Sequence, residues 1–257
     1  RDKACKMTYR DAKEDVFNSF GLNISAMTIW KINQQQNGFT FVEPSKNHKI
    51  LLTDGTKVKG NKGGQLEPRA AMSIDQEKKE KSLLFLGAKE SWQEIGEKLD
   101  LSQFKVLVGD GETGLRQNLV KPHMSFHYCH QHAIRDLSLY LWYDKVEKNA
   151  RNEYIKPFKE ILYTVQNSTK KYFKDKDKTR LHKRLSWAQA QIEILVKKTQ
   201  GKELTQSSGF LERNKDYFFT ATILALKEDL VVPFTTNQVE RLMKEIGKRT
   251  KKKSMRW

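Results

Sequence analysis

Residues 104–119, FKVLVGDGETGLRQNL, decide how the chain is read, because they carry one carboxylate to the open end of a buried strand. Phe104, Val106, Leu107 and Val108 form a short apolar run rich in β-branched residues, and Gly109, Gly111 and Gly114 then break it. The pattern predicts strand, acid, turn, helix. In α/β sheets ligands are met at the carboxyl ends of strands, so Asp110, held between two glycines, is a candidate functional acid. The plainer alternative is that Asp110 caps a helix starting near Thr113.

Upstream, Lys49 to Lys59 (KILLTDGTKVK) repeats the theme. Ile50, Leu51 and Leu52 are the buried run and Asp54 closes it. Asp54-Gly55 also reads as a hairpin turn, with Thr56 to Lys59 alternating as an antiparallel return strand would. Gly60 to Gly64 is a loop, Glu67 to Ile74 a further strand, and Leu83 to Leu86 another apolar run. A helix with Trp92, Ile95 and Leu99 on one face follows. Downstream, Met124 to His132 (MSFHYCHQH) predicts a fifth strand in which Ser125, His127 and Cys129 alternate with Phe126, Tyr128 and His130. From Ala133 to Val232 the apolar positions recur at three, four or seven, which predicts an all-helical segment. Within it Lys170 to Arg184 is strongly basic and reads as a solvated face or loop that backbone phosphates would also find attractive.

Pro233 stops this run, and Thr235-Thr236-Asn237 supplies the cap for a new helix from Gln238 to about Lys251. Glu240 lies three positions past Asn237, where a capping-box carboxylate also sits. Arg241, Lys244 and Lys248 fall beside it on one face. A capped, solvated helix and a catalytic acid ringed by phosphate contacts both fit that pattern.

At the other end, Thr8 to Asn33 reads as two short helices around a turn at Phe20 to Asn23. This is the grammar of a helix-turn-helix, whose second helix would offer Ser25, Ala26, Thr28 and Lys31 to a major groove. An ordinary helical hairpin fits the same spacing. Gln34 to Asn37 follows as a linker.

The whole composition bears on the partner. The 257 residues include 48 Lys and Arg against 31 Asp and Glu, a net charge of +17 spread along the chain. That exceeds the magnitude of about 2 to 8 that solubility of a small domain asks for, and it favours a polyanion, above all nucleic acid. No apolar run approaches the roughly 20 residues that span a bilayer, and no signal peptide opens the sequence, so a cytoplasmic location is expected. The sequence begins at Arg1 and stops at Trp257, and is read as a fragment. Cys5 and Cys129 are too few and too far apart for a disulfide framework.

Three acids thus stand at matching places: Asp54 and Asp110 at strand ends, Glu240 on a late helix. Carboxylate oxygens suit Mg²⁺ or Mn²⁺, and two such ions can serve an in-line phosphodiester displacement. The order strand-Asp, strand-Asp, helix-Glu is that of the ribonuclease H-like layout. TDGT at Asp54, VGDGETGL at Asp110 and especially TTNQVERLMKEIGKRTKKKSMRW around Glu240 make the chain resemble the Mutator-type DDE transposases of prokaryotic insertion sequences. The Glu240 motif is the specific part. Cys129-His-Gln-His132 is similar to a Cys-x2-His signature found after the second Asp in these and related transposases.

The resemblance implies a small helix-turn-helix and linker at 1–37 and a mixed α/β ribonuclease H-like core at 38–132. An all-helical insertion would follow at 133–234, and a Glu-bearing helix completing the core at 235–257. It implies that Asp54, Asp110 and Glu240 bind divalent metal, while the helix-turn-helix pattern offers Ser25, Ala26, Thr28 and Lys31, and the basic face of the last helix Arg241, Lys244 and Lys248, as DNA contacts. The reaction would be hydrolytic nicking at transposon ends and transfer of the 3′ hydroxyl into target DNA. The active species would be a homo-oligomer on double-stranded terminal repeats and target. Cys129 and His132 could be read with His123, His127 and His130 as a zinc site, but strand alternation would set neighbours on opposite faces, which favours a structural or DNA-positioning role. A non-catalytic DNA-binding protein derived from a decayed or domesticated transposase is the alternative, and another ribonuclease H-like nuclease, such as a resolvase, is a third reading.

Overall fold

A computed structural model describes residues 48–241 except 56–57, 60–64, 68, 76–79 and 88–89. The candidate DNA reader with Ser25, Ala26, Thr28 and Lys31, and the distal basic positions Lys244 and Lys248, lie outside the described residues.

A mixed five-stranded sheet forms the centre, with β1 (Ile50–Gly55) in the middle. β1 pairs antiparallel with β4 (Arg69–Asp75), which pairs antiparallel with β5 (Glu80–Gly87). On its other side β1 pairs parallel with β6 (Val106–Gly109), and β6 pairs parallel with β7 (Ser125–Tyr128), giving the order β5-β4-β1-β6-β7. Two short strands, β2 (Val58–Lys59) and β3 (Gln65–Leu66), make a separate two-stranded sheet.

β1 and β6 read as unbroken apolar runs because both faces of the sheet are covered. Leu51 and Leu107 face one buried cluster with α1 (Trp92–Lys98), α2 (Leu115–Leu119) and α3 (His130–Tyr143). Ile50, Leu52, Val106 and Val108 face the other, made with Ala221 and Leu224 of α7 (Thr220–Glu228) and with Val232, Phe234 and Val239. This period of two places the acids. Asp54 falls on the Ile50 and Leu52 face, and the pairing of Leu52 with Val108, continued by two residues, sets Asp110 opposite it.

The predicted helical run is present. Between α3 and α7 lie α4 (Asn152–Asp175), α5 (Lys178–Gln200) and α6 (Thr205–Asn214). α4 buries Phe158, Ile161, Leu162, Val165 and Tyr172 against the stripe Leu181, Leu185, Ala188, Ile192 and Leu195 of α5, so each amphipathic helix covers the other. The basic Lys170–Arg184 stretch spans the last turns of α4, the corner at Lys176–Asp177 and the first turns of α5. Lys176 turns it in the left-handed region at φ 57°, Asp177 caps α5 through the Arg180 amide, and Arg180 clasps Asp175 with both carboxylate oxygens.

Three local expectations need correction. Asp54-Gly55 is not a hairpin turn: both residues stay in the ladder, paired with Ala70 and Arg69, and the Val58–Lys59 strand returns to β3 rather than to β1. The apolar run of β1 continues to its acid because β4 hydrogen-bonds along its whole length. The fifth strand ends at Tyr128 and not at His132, since α3 begins at His130 with Cys129 as its N-cap residue. Finally, Asp110 caps no helix near Thr113. The helix starts at Leu115, with Gly114 at φ 84° as its N-cap residue.

Candidate active site

The open end of β1 and β6 gathers the side chains that the sequence set apart. A donor atom from each of Asp54, Asp110 and His132 lies within 4.8 Å of the others. His132 Nε2 is 3.9 Å from Asp54 Oδ1 and also 3.9 Å from Glu240 Oε1, so the imidazole stands between the strand acid and the helix acid. Cys129, His132 and Glu240 form a second overlapping group, again within 4.8 Å.

Each side chain is aimed by its neighbourhood. Asp54 is buried, 6% exposed, inside the ladder. Asp110 accepts the Glu112 amide at 3.0 Å, which closes the GETG turn on its own carboxylate. That turn is pinned from two directions. Arg69 reaches Glu112 with Nε at 3.2 Å and Nη2 at 2.7 Å, while lying 5.4 Å over the Trp92 ring. Gly111 presses its backbone onto the Tyr128 hydroxyl so closely that a Cβ there would come within 2.0 Å, and that hydroxyl donates to Asp136 at 2.8 Å.

Glu240 arrives differently. A helix begins at residue 237, its first turn closed by the Glu240 amide donating to the Thr236 carbonyl at 3.0 Å. The cap is therefore Thr236, four residues before Glu240, and not an Asn237 capping box. The buried Thr236 hydroxyl lies 3.1 Å from Glu240 Oε1 and 3.5 Å from Cys129 Sγ, which ties the helix start to the head of α3. The His130 amide donating to the Phe234 carbonyl at 3.0 Å holds the approaching segment in the same place.

The electrostatics follow from this crowding. Burial pushes the Asp54 carboxyl up to about 7; Asp110 and Glu240 add to the rise, and His132 and the Gly55 amide oppose it. Burial raises Asp110 as well, against the Glu112 amide and His132. For His132 burial pulls downward, but the Cys129 sulfur and the Asp110 carboxylate outweigh it and hold the imidazole at about 9. Cys129 shifts the other way: burial would raise its thiol, and His132 with Thr236 brings it below the ordinary range. The pair thus favours thiolate and imidazolium, while burial holds both Asp carboxyls above the ordinary range in spite of His132. Buried carboxylates in that state gain from a cation, and the two overlapping groups are placed so that each could hold a metal ion.

β7 stops at Tyr128, short of both side chains. Cys129 and His132 sit at the cap and in the first turn of a helix, so they share one side instead of alternating. His123, His127 and His130 stay out of the group. His123 meets the Leu101 carbonyl, whereas His127 and His130 are fully buried against the Tyr217 and Phe218 carbonyls. Arg241, next to Glu240, is exposed as a phosphate contact requires. Sequence reasoning missed Arg69, Glu112 and Asp136. Asp136 is four residues past His132 on α3 and would have stood out had the helix been started at His130. Arg69 and Glu112 carry no local signal, because their meaning lies in a contact across 43 residues.

No protein-family model matches the chain, and no curated protein does. Among the described residues, no helix is long and apolar enough to cross a membrane.

Proposed function

We propose that this chain is a DDE-type DNA transposase with a ribonuclease H-like catalytic core, acting on double-stranded DNA with Asp54, Asp110 and Glu240 as its metal-binding acids. The observation that carries this reading is the convergence of those acids on His132 from two strand ends and a helix more than a hundred residues further on. The sheet order, with its central first strand between an antiparallel and a parallel neighbour, supports the ribonuclease H-like assignment, and the charge of +17 supports a polyanionic substrate.

When bound, a pair of divalent cations would activate the attacking hydroxyl and stabilise the leaving oxygen of an in-line displacement. The protein's own part is positional. Asp54 and Asp110 present oxygens from the fixed end of the sheet, Glu240 completes the set from its helix, and exposed Arg241 is available to a flanking phosphate. His132, held as imidazolium by Cys129, offsets the negative charge of the acids and keeps their carboxylates close together. A homo-oligomer on the transposon ends belongs to this reading.

Zinc on Cys129, His132 and Glu240 is a second reading, favoured by their proximity and by the borderline-soft donor set. It would take Glu240 away from the two Asp residues. Metal content separates the two. Purified protein carrying stoichiometric zinc that resists mild chelation would favour the second, whereas zinc-free protein that nicks DNA only with added Mg²⁺ or Mn²⁺ supports the first.

The direct test uses supercoiled plasmid carrying the element's ends. The wild type should nick at those ends in Mg²⁺, and Asp110→Asn should bind the same DNA without nicking. Nicking retained by Asp110→Asn would overturn the assignment. Binding with no nicking by the wild type would return the non-catalytic, transposase-derived alternative.

A further inference from the structure

Gln166 departs from the pattern of its own helix. α4 buries Leu162, Val165 and Thr169 on its inward face, and Gln166 lies beside them, half-buried, an amide at the edge of an otherwise packed stripe. A polar group so placed costs free energy unless it is hydrogen-bonded. Its partner is His130, whose Nδ1 lies 2.8 Å from Gln166 Nε2.

His130 is wholly buried, and the acids do not use it. Its surroundings fix the tautomer. Nε2 stands 2.8 Å from the Phe218 carbonyl, which can only accept, so Nε2 carries the proton. Burial keeps the ring neutral, which leaves Nδ1 a buried acceptor with the Gln166 amide as its donor. The ring is therefore held from both sides, by the entry to α7 and by the middle of α4.

The same residue holds the approach to the third acid. Residues 230–236, which carry the chain from α7 towards Glu240, belong to no helix or strand, so no ladder of backbone bonds fixes them. Phe234 is their anchor. The His130 amide donates to its carbonyl at 3.0 Å, and the His130 ring packs on its ring with centroids 5.1 Å apart. His127 closes on the same ring at 5.6 Å, so two imidazoles grip Phe234. Two residues further on is Thr236, whose hydroxyl meets Glu240 at 3.1 Å. A turn of the His130 ring thus passes to Phe234, then to Thr236 and to the Glu240 carboxylate.

We propose that Gln166 is a positioning residue for the third acid: from the middle of α4 it orients His130, and through His130 and Phe234 it sets where Glu240 stands. The proposal rests on the reading of Glu240 as a metal-binding acid. It gives the helical run a part in metal binding, through a residue whose bond is to His130 and not to an acid. A glutamine that only fills a polar niche would lower stability when replaced and change nothing at Glu240. The two roles are separable by measurement.

The test uses the full chain and two readouts. Isothermal titration calorimetry gives the Mn²⁺ affinity, and hydrogen–deuterium exchange followed by mass spectrometry gives the protection of amides in 230–241. Gln166→Met keeps length and bulk and removes the donor. It should weaken Mn²⁺ binding by about fivefold, within the range for a residue that acts through others, and should speed exchange across 230–241. Thr169→Val serves as comparison, because it breaks the 2.9 Å Thr169–Thr222 hydroxyl contact between the same helix and α7. It should lower the Tm yet move Mn²⁺ affinity by less than about twofold. In a His130→Phe background, which has no acceptor for Gln166, Gln166→Met should cause no further loss. Mn²⁺ affinity and exchange left unchanged by Gln166→Met overturn the proposal and leave the acids in their roles. An equal loss in Thr169→Val also overturns it, since the effect would then be general loosening. If the wild type and Glu240→Gln bind Mn²⁺ equally well, the reading of Glu240 as a metal-binding acid falls, and the proposal falls with it.

Discussion

The two halves of the candidate site are held by different physics. Asp54 and Asp110 are borne by neighbouring parallel strands whose register is fixed along their length, with the turn after Asp110 locked by the Glu112 amide, Arg69 and the Gly111 contact on Tyr128. Glu240 is borne by the start of a helix and reaches the same place through the Thr236 hydroxyl, Cys129 and the packing of Val239 under the sheet. A strand end fixes an acid by many repeated bonds. A helix start fixes one by few, so the second half is where the site is most easily disturbed.

The largest expected effect lies on the strand side. Asp54→Asn should abolish nicking, as Asp110→Asn should, yet it should stabilise the metal-free protein. The carboxyl titrates near 7 in the fold against 3.8 in its ordinary state, so stability is lost as pH rises between those values. Allowing for the nearby His132, the gain at pH 8 in EDTA is ~1–3 kcal/mol, read as a higher Tm. A lower Tm for the variant would mean that the carboxylate is held by its surroundings rather than strained by them.

The helix side gives the next effect. Thr236→Val keeps the shape and removes the hydroxyl between Glu240 and Cys129, and should lower metal-dependent nicking by about 10- to 100-fold, the range seen when a ligand loses its supporting hydrogen bond. The loss should shrink at high Mg²⁺, because it falls on metal affinity. If Thr236→Val nicks as well as the wild type, Glu240 is placed by packing alone and the contrast between the halves disappears.

A smaller effect comes from the histidines behind the site. His130 is held neutral by burial, with its pKa brought from 6.5 down to about 4, and His127 is driven the same way by burial and by His130. Between those values the unfolded chain binds more protons, so stability falls as pH drops from about 6.5 to about 4. For His130 alone the loss is on the order of 3 kcal/mol. Asp54 and Asp110 act oppositely over much of that window, so the melting curve should be followed in Asp54→Asn/Asp110→Asn protein. A Tm unchanged across that range would show that water reaches the ring.

Arg69→Ala should matter least: the turn keeps its Asp110–Glu112 bond, so nicking should fall by less than about tenfold, at the low end of the support range. A loss as large as that of Asp110→Asn would show that the arginine, and not the turn, aims the acid.

The sequence carried the strand-borne half well. The apolar runs before Asp54 and Asp110 and the long helical periodicity between Leu137 and Leu226 are local signals, and each corresponds to an element of the fold. What it carried poorly was set by tertiary partners. Whether Asp54-Gly55 turns or stays extended depends on β4, which appears nowhere in KILLTDGTKVK. The switch from strand to helix at Cys129 is hidden because MSFHYCHQH alternates plausibly and has no Gly or Pro to mark the change. Arg69 and Glu112 become meaningful only when β4 lies beside the β6 turn.

The link between Cys129 and Thr236 joins positions 107 residues apart and spans the whole helical run. A nascent chain that has emerged as far as α3 already holds both strand acids and His132, but it has no Glu240 to set beside them. Closing that link therefore waits for the synthesis of α4 to α7, and a chain cut or stalled within those helices is left without its third acid. The third acid is thus the last of the set to be made, after the whole helical run.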